Sequence, residues 1–89
     1  MTRYQARLEA AKRKGQKQAD EFNARYPIST PVMAYPLTRP GVNEHFFKEL
    51  DTVTRTPAWI LGDGSPVVSV EGYAGGIHLS HVDVKQVAS

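Results

Sequence analysis

The stretch Trp59-Ile60-Leu61-Gly62-Asp63-Gly64-Ser65-Pro66-Val67-Val68-Ser69-Val70-Glu71-Gly72-Tyr73-Ala74-Gly75-Gly76-Ile77-His78-Leu79-Ser80-His81-Val82-Asp83-Val84 alternates short apolar runs with glycine-rich turns. That alternation decides the fold. The run Ala58 to Leu61 ends at a cluster whose glycines accept positive φ and whose proline cannot donate into a central ladder, so a strand stops there. Val67 to Glu71 follows, with Val68 and Val70 on one face and Ser69 and Glu71 on the other, the period of a half-buried strand. Gly72 to Gly76 turns the chain again. In the last run Ile77 and Leu79 point inward, and then the phase changes so that Val82 and Val84 take over. A bulge near Ser80 and His81 accounts for that shift.

Working outward, Leu50 to Thr56 reads as a further strand with Thr52, Thr54 and Thr56 on one face, closed by Pro57. Val32 to Leu37 reads as the first strand, which Pro36 and Pro40 confine to an edge or cut short. Between these two strands, Thr38 to Glu49 is a long connection whose main apolar content is Phe46-Phe47, and loops of about 12 residues usually have a function or packing of their own. Four or five short strands joined mainly by tight turns predict a small antiparallel, SH3-like β-barrel for residues 27–89. Trp59 is expected to anchor its core, and Tyr73, at a hairpin tip, to be an exposed contact.

The N-terminal segment has a different character. Thr2 to Arg25 contains no proline and carries seven basic against three acidic side chains, a net of +4, whereas the remainder carries four basic and six acidic. The overall charge of +2 therefore conceals a basic arm, residues 1–26, attached to a slightly acidic body. At about 100° per residue, Tyr4, Leu8, Ala11, Gly15, Ala19, Phe22 and Tyr26 share one stripe of a helix, and Arg3, Arg7, Lys14 and Lys17 a second. The class is α+β. Gly15 costs a helix interior about 1 kcal/mol relative to alanine, so a bend or fray is expected there. A stripe broken by alanines and this glycine suits either packing on the body or pairing with a second copy as a homodimer.

Composition narrows the function further. At 89 residues with no cysteine, the chain is expected to be one domain without disulfides or thiolate metal sites, and a cytoplasmic setting is the default. No segment approaches the roughly 20 apolar residues of a membrane span, so no membrane partner is expected. His78 and His81 invite a metal reading, yet residues three apart on a regular strand face opposite ways, and His45 lies in a distant loop. Glu44, Glu49 and Asp51 lie near His45 in sequence but in a connection rather than a defined cleft. Gly62-Asp63-Gly64 and Gly75-Gly76 lack the remaining elements of nucleotide-binding loops and read as turns. No catalytic, cofactor or metal residues are assigned.

The segments Phe22-Asn23-Ala24-Arg25-Tyr26-Pro27, Thr30-Pro31-Val32, Thr54-Arg55-Thr56-Pro57-Ala58-Trp59, Leu61-Gly62, Pro66-Val67-Val68, Val70-Glu71-Gly72, Gly75-Gly76 and His81-Val82 resemble a group of short, functionally uncharacterised proteins encoded by bacteriophages and prophages. The resemblance covers Phe22 to Val84, implies a mobile-element origin and a β-rich fold, and transfers no functional residue. Two non-enzymatic readings follow. In the first, a phage-type effector binds a host protein or complex, for example to inhibit a defence system, through Tyr73 and the loop bearing Arg39 and His45. In the second, Arg3, Arg7, Lys14 and Lys17 lie along the phosphates of DNA or RNA. The effector reading stands slightly ahead.

Overall fold

In the computed structural model, which describes residues 2–36 and 49–85, one long helix lies against a body of two small antiparallel sheets. The helix, α1, runs from Arg3 to Arg25. Its start is set by a capping box: the Thr2 hydroxyl oxygen accepts the Gln5 backbone N–H at 3.1 Å, and the Gln5 side-chain oxygen accepts the Thr2 N–H at 3.0 Å. Two of the helix's orphan donors are satisfied reciprocally in this way. Its end is extended backbone at Tyr26, as Pro27 requires of the residue before it.

The strands are β1 (Pro31–Ala34), β2 (Leu50–Val53), β3 (Trp59–Ile60), β4 (Pro66–Val68), β5 (Ile77–His78) and β6 (Val82–Val84). One sheet has the order β2-β1-β6 and the other β3-β4-β5, all neighbours antiparallel. Among the described residues there are thus six strands rather than four or five, and their ladders form two three-stranded sheets rather than one closed SH3-like barrel. The Thr54–Val70 bridge joins them, flanked by the Arg55 N–H to the Ser69 carbonyl at 2.9 Å and the Glu71 N–H to the Val53 carbonyl at 3.0 Å. The chain crosses between the sheets a second time through a 3-10 turn at Leu79–His81. That turn replaces the expected bulge and produces the same change of phase: Ile77 and Val82 are buried, Leu79 and Val84 half-buried.

The core is built from small apolar side chains. Val32, Ala34, Val68, Val70 and Ala19 are fully buried, with Phe22, Leu50, Ile60 and Tyr73 packed around them. Trp59 is not its anchor, because valines and alanines fill so thin a core; the indole is 38% exposed and lies over Gly76, where an added Cβ would come within 3.2 Å of Cη2. Ser69 departs from expectation in the opposite sense. The period-two pattern predicts it on the outer face with Glu71, but it is buried: its hydroxyl donates to the Gly75 carbonyl at 3.1 Å, and its backbone N–H donates to the Thr56 hydroxyl oxygen at 3.2 Å. A buried hydroxyl is tolerated when it has a hydrogen-bond partner of this kind.

Threonine supplies the polar centre of the body. Thr54 is 1% exposed; its hydroxyl oxygen accepts the Thr30 N–H at 3.1 Å, its N–H donates to the Thr30 carbonyl at 3.0 Å, and its carbonyl accepts the Ser29 N–H at 2.8 Å. The neighbouring Thr52 hydroxyl donates to the Glu71 carbonyl at 2.8 Å. Arg55 completes the seam by donating Nε to the Val70 carbonyl at 3.0 Å and Nη2 to that of Tyr73 at 3.4 Å. These bonds tie the end of β2 to the turn after β4.

Gly15 neither ends nor interrupts α1, which is helical on both sides of it. The residue is buried against the turn that joins β3 to β4, and a Cβ built on it would lie 1.8 Å from the Gly64 carbonyl oxygen. Gly64 is equally constrained, with φ of +92° and the Ala11 backbone 2.7 Å from where a Cβ would stand. Two backbones touch here, which only glycine permits. The intrinsic penalty of a helical glycine is offset by the approach that it allows.

A candidate polyanion-binding surface

Docking through Gly15, Ala19 and Phe22 determines which way the rest of α1 faces. Asn23 fixes the pose: its Nδ2 donates to the Ala58 carbonyl at 3.0 Å, and its Oδ1 accepts the Ala58 N–H at 2.7 Å. The amide thereby pairs with a buried residue's backbone as a neighbouring strand would, and both groups are satisfied. Sequence reading passed over Asn23, and the available signal was an amide at the helix end, one residue beyond the apolar stripe at Phe22.

With the helix held by this face, Arg3, Arg7, Lys14 and Lys17 are all exposed on the stripe beside it, with Lys14 bordering the docked turn. Between Arg3 and Lys17 six basic residues stand against Glu9 as the one acid, and the first turn contains no acidic side chain. The dipole of α1 adds positive potential at the same end. Lys12 is turned toward a concavity of about 380 Å³ that it shares with Gln5, Leu8 and Glu9. Tyr4, placed by periodicity on the packing stripe, is 74% exposed, and Leu8 is half-buried.

The basic face ends at a second cleft, of about 300 Å³, between α1 and the turn that joins β3 to β4. Ala11, Lys14, Gly15 and Gln18 form its helical wall, Asp63 to Pro66 its opposite wall, and His78 projects from β5. The turn is held by Leu61 N–H to the Ser65 carbonyl and Gly64 N–H to the Leu61 carbonyl, both at 2.9 Å, and by the Asp63 carboxylate accepting the Ser65 N–H at 2.9 Å. The Ser65 backbone N–H, and then its side chain, hold the Asp63 carboxyl below its ordinary range, with a smaller contribution from His78. Asp63 is therefore a carboxylate at neutral pH.

His78 is oriented by its own turn. Its Nδ1 accepts the Ser80 backbone N–H at 3.1 Å, so the neutral ring carries its proton on Nε2. His81 has the opposite tautomer, because its Nδ1 lies 3.1 Å from the Tyr35 carbonyl oxygen and must donate. The 3-10 turn brings the two ring centroids to 6.4 Å, closer than a regular strand allows, but among the described residues no third histidine, cysteine or acidic group joins them. Asp51 is occupied by an ion pair with Lys85.

The residues expected to contact a protein partner are placed differently. Tyr73 is half-buried and packed on the core rather than presented at a tip, since the turn folds back over β4 and Arg55 holds its carbonyl. Arg39 and His45, with the rest of the 37–48 segment, lie outside the described residues. Compared with protein-family models, with curated proteins and with solved structures, the chain matches none. Among the described residues no helix is long and apolar enough to cross a membrane.

Proposed function

We propose that the protein is a non-catalytic binding protein that lays the exposed face of α1 along the phosphate backbone of a nucleic acid. One observation carries this reading: the helix is docked by its small apolar face, and Arg3, Arg7, Lys14 and Lys17, on the neighbouring stripe, are all left exposed. From Arg3 to Lys17 the helix advances about 21 Å, the axial length of about six nucleotides of a strand in duplex form. Cations at such spacing contribute affinity and orientation without reading sequence. Arginine also suits the bidentate geometry of phosphate.

The phage-effector reading shares the mobile-element origin that the resemblance implies and the cytoplasmic setting, but its described contact residue supplies less. Tyr73 is half-buried and packed against the core. The basic helix therefore takes precedence, as the phosphate-binding element of a phage-type accessory protein. The body that carries it is read as an opened relative of the SH3-like barrel, a reading supported by the Thr54–Val70 bridge and by the continuous crossing from β5 to β6.

Fluorescence anisotropy with a labelled 20-base-pair duplex and its single strand, over a salt series, tests the proposal. If the four cations each neutralise a phosphate, log K should fall against log salt with a slope of about −3.6 on duplex. Replacing all four by glutamine, with helicity checked by circular dichroism, should abolish binding. Binding that ignores salt, or that survives the quadruple substitution, overturns the reading.

A further inference from the structure

The cleft at the end of the basic face has a composition that the helix alone does not explain. We infer that this cleft seats a phosphate monoester, held by Lys14, Gln18 and His78. The inference deepens the polyanion reading, on which it rests for the chemistry of the partner, by naming what occupies the end of the cationic row. A terminal phosphate on a strand and a free nucleotide present the same group.

Three observations carry it. The first is space: the close approach of Gly15 and Gly64, with Ala11 beside them, leaves a concavity of about 300 Å³, at the lower bound of small-ligand sites. The second is donor character. His78 Nε2 is a fixed donor because Nδ1 is already engaged by Ser80 N–H, and the Lys14 ammonium and Gln18 amide line the same cleft. The third is charge. The one acid in the cleft, Asp63, already directs an oxygen to the Ser65 N–H, and the groups that remain are cationic or neutral donors. A tetrahedral anion uses several donors converging from different elements, and here they come from α1 and β5.

Asp63 provides a test that misfolding cannot imitate. Its negative charge opposes an anion, whereas an amide in its place still accepts the Ser65 N–H, so Asp63→Asn should tighten binding by about threefold. His78→Asn keeps an acceptor for the Ser80 N–H but removes the reach of the ring, and should weaken binding about tenfold. The measurement is an NMR titration of the labelled full chain with adenosine 5′-monophosphate, adenosine serving as control. Expected are saturable shifts centred on Gln18, Gly64, Ser65 and His78, with a Kd on the order of 1 mM, and none with adenosine.

No shift with the monophosphate, or shifts spread evenly along α1, overturns the inference, as does Asp63→Asn that fails to tighten. A second arm compares a 5′-phosphorylated oligonucleotide with its 5′-hydroxyl twin. Preference for the phosphorylated strand assigns the seat to strand ends, and equal affinity alongside monophosphate shifts assigns it to free nucleotides. Oligonucleotide binding that persists without monophosphate shifts removes the cleft and leaves the helix reading intact. Monophosphate shifts without oligonucleotide binding do the reverse.

Discussion

The two halves of α1 obey different rules. From Arg3 to Lys14 every side chain except the half-buried Leu8 is exposed, and the segment depends on local terms, chiefly the Thr2 capping box and intrinsic propensity. From Gly15 to Arg25 the helix is held by tertiary contacts: the backbone approach to Gly64, the burial of Ala19 and the pairing of Asn23 with Ala58. The difference teaches that a single helix can separate support from presentation. The half that opens on the helix-weakening Gly15 is the anchored one, and the half with uninterrupted helix formers is left free to carry charge.

The contrast is broken most severely at its junction. Gly15→Ala should stabilise an isolated helix by about 1 kcal/mol, yet here the new Cβ meets a backbone oxygen that cannot rotate away. A net loss of about 1–3 kcal/mol is expected, read as a lower midpoint in urea. An unchanged or raised midpoint would mean that the helix and the turn are not in contact.

Asn23→Ala removes both bonds to Ala58 and leaves a buried N–H without its partner, at a cost of about 1–3 kcal/mol at the lower part of that range. Hydrogen exchange at the Ala58 amide should accelerate in step with the loss of stability. Protection retained there would show that the clamp is dispensable.

Thr2→Ala sharpens the comparison from the opposite side. Loss of the cap costs about 1 kcal/mol, but because the first half contributes little to the core, the effect should stay local. Amide exchange should rise over the first two turns of α1 while the global melting midpoint moves little. A midpoint that falls as far as in Gly15→Ala would erase the distinction between the halves.

What could be read beforehand follows the same division. The helix, its two stripes and the turn clusters at Gly62 to Pro66 and Gly72 to Gly76 were legible because periodicity and turn chemistry are local properties. The benefit of Gly15 was not, since it depends on Gly64, and propensity alone presents the residue as a weak point. Nor was the exposure of Trp59, because the size of a side chain says nothing about whether valines and alanines already fill the interior. In the candidate site, the four cations were legible and the cleft was not. Its walls come from three parts of the chain, and the donor role of His78 depends on a bond within its own turn.

The Gly15–Gly64 contact also sets an order of events during folding. A helix with its own cap can form in under about a microsecond, but the seat for Gly15 exists only after β3 and β4 have paired around a turn forty-nine residues further along the chain. Closing so long a loop is slow relative to helix growth. The charged half of α1 can therefore be formed while the anchored half still awaits its partner, and refolding should gain helical signal before it gains protection at Gly15.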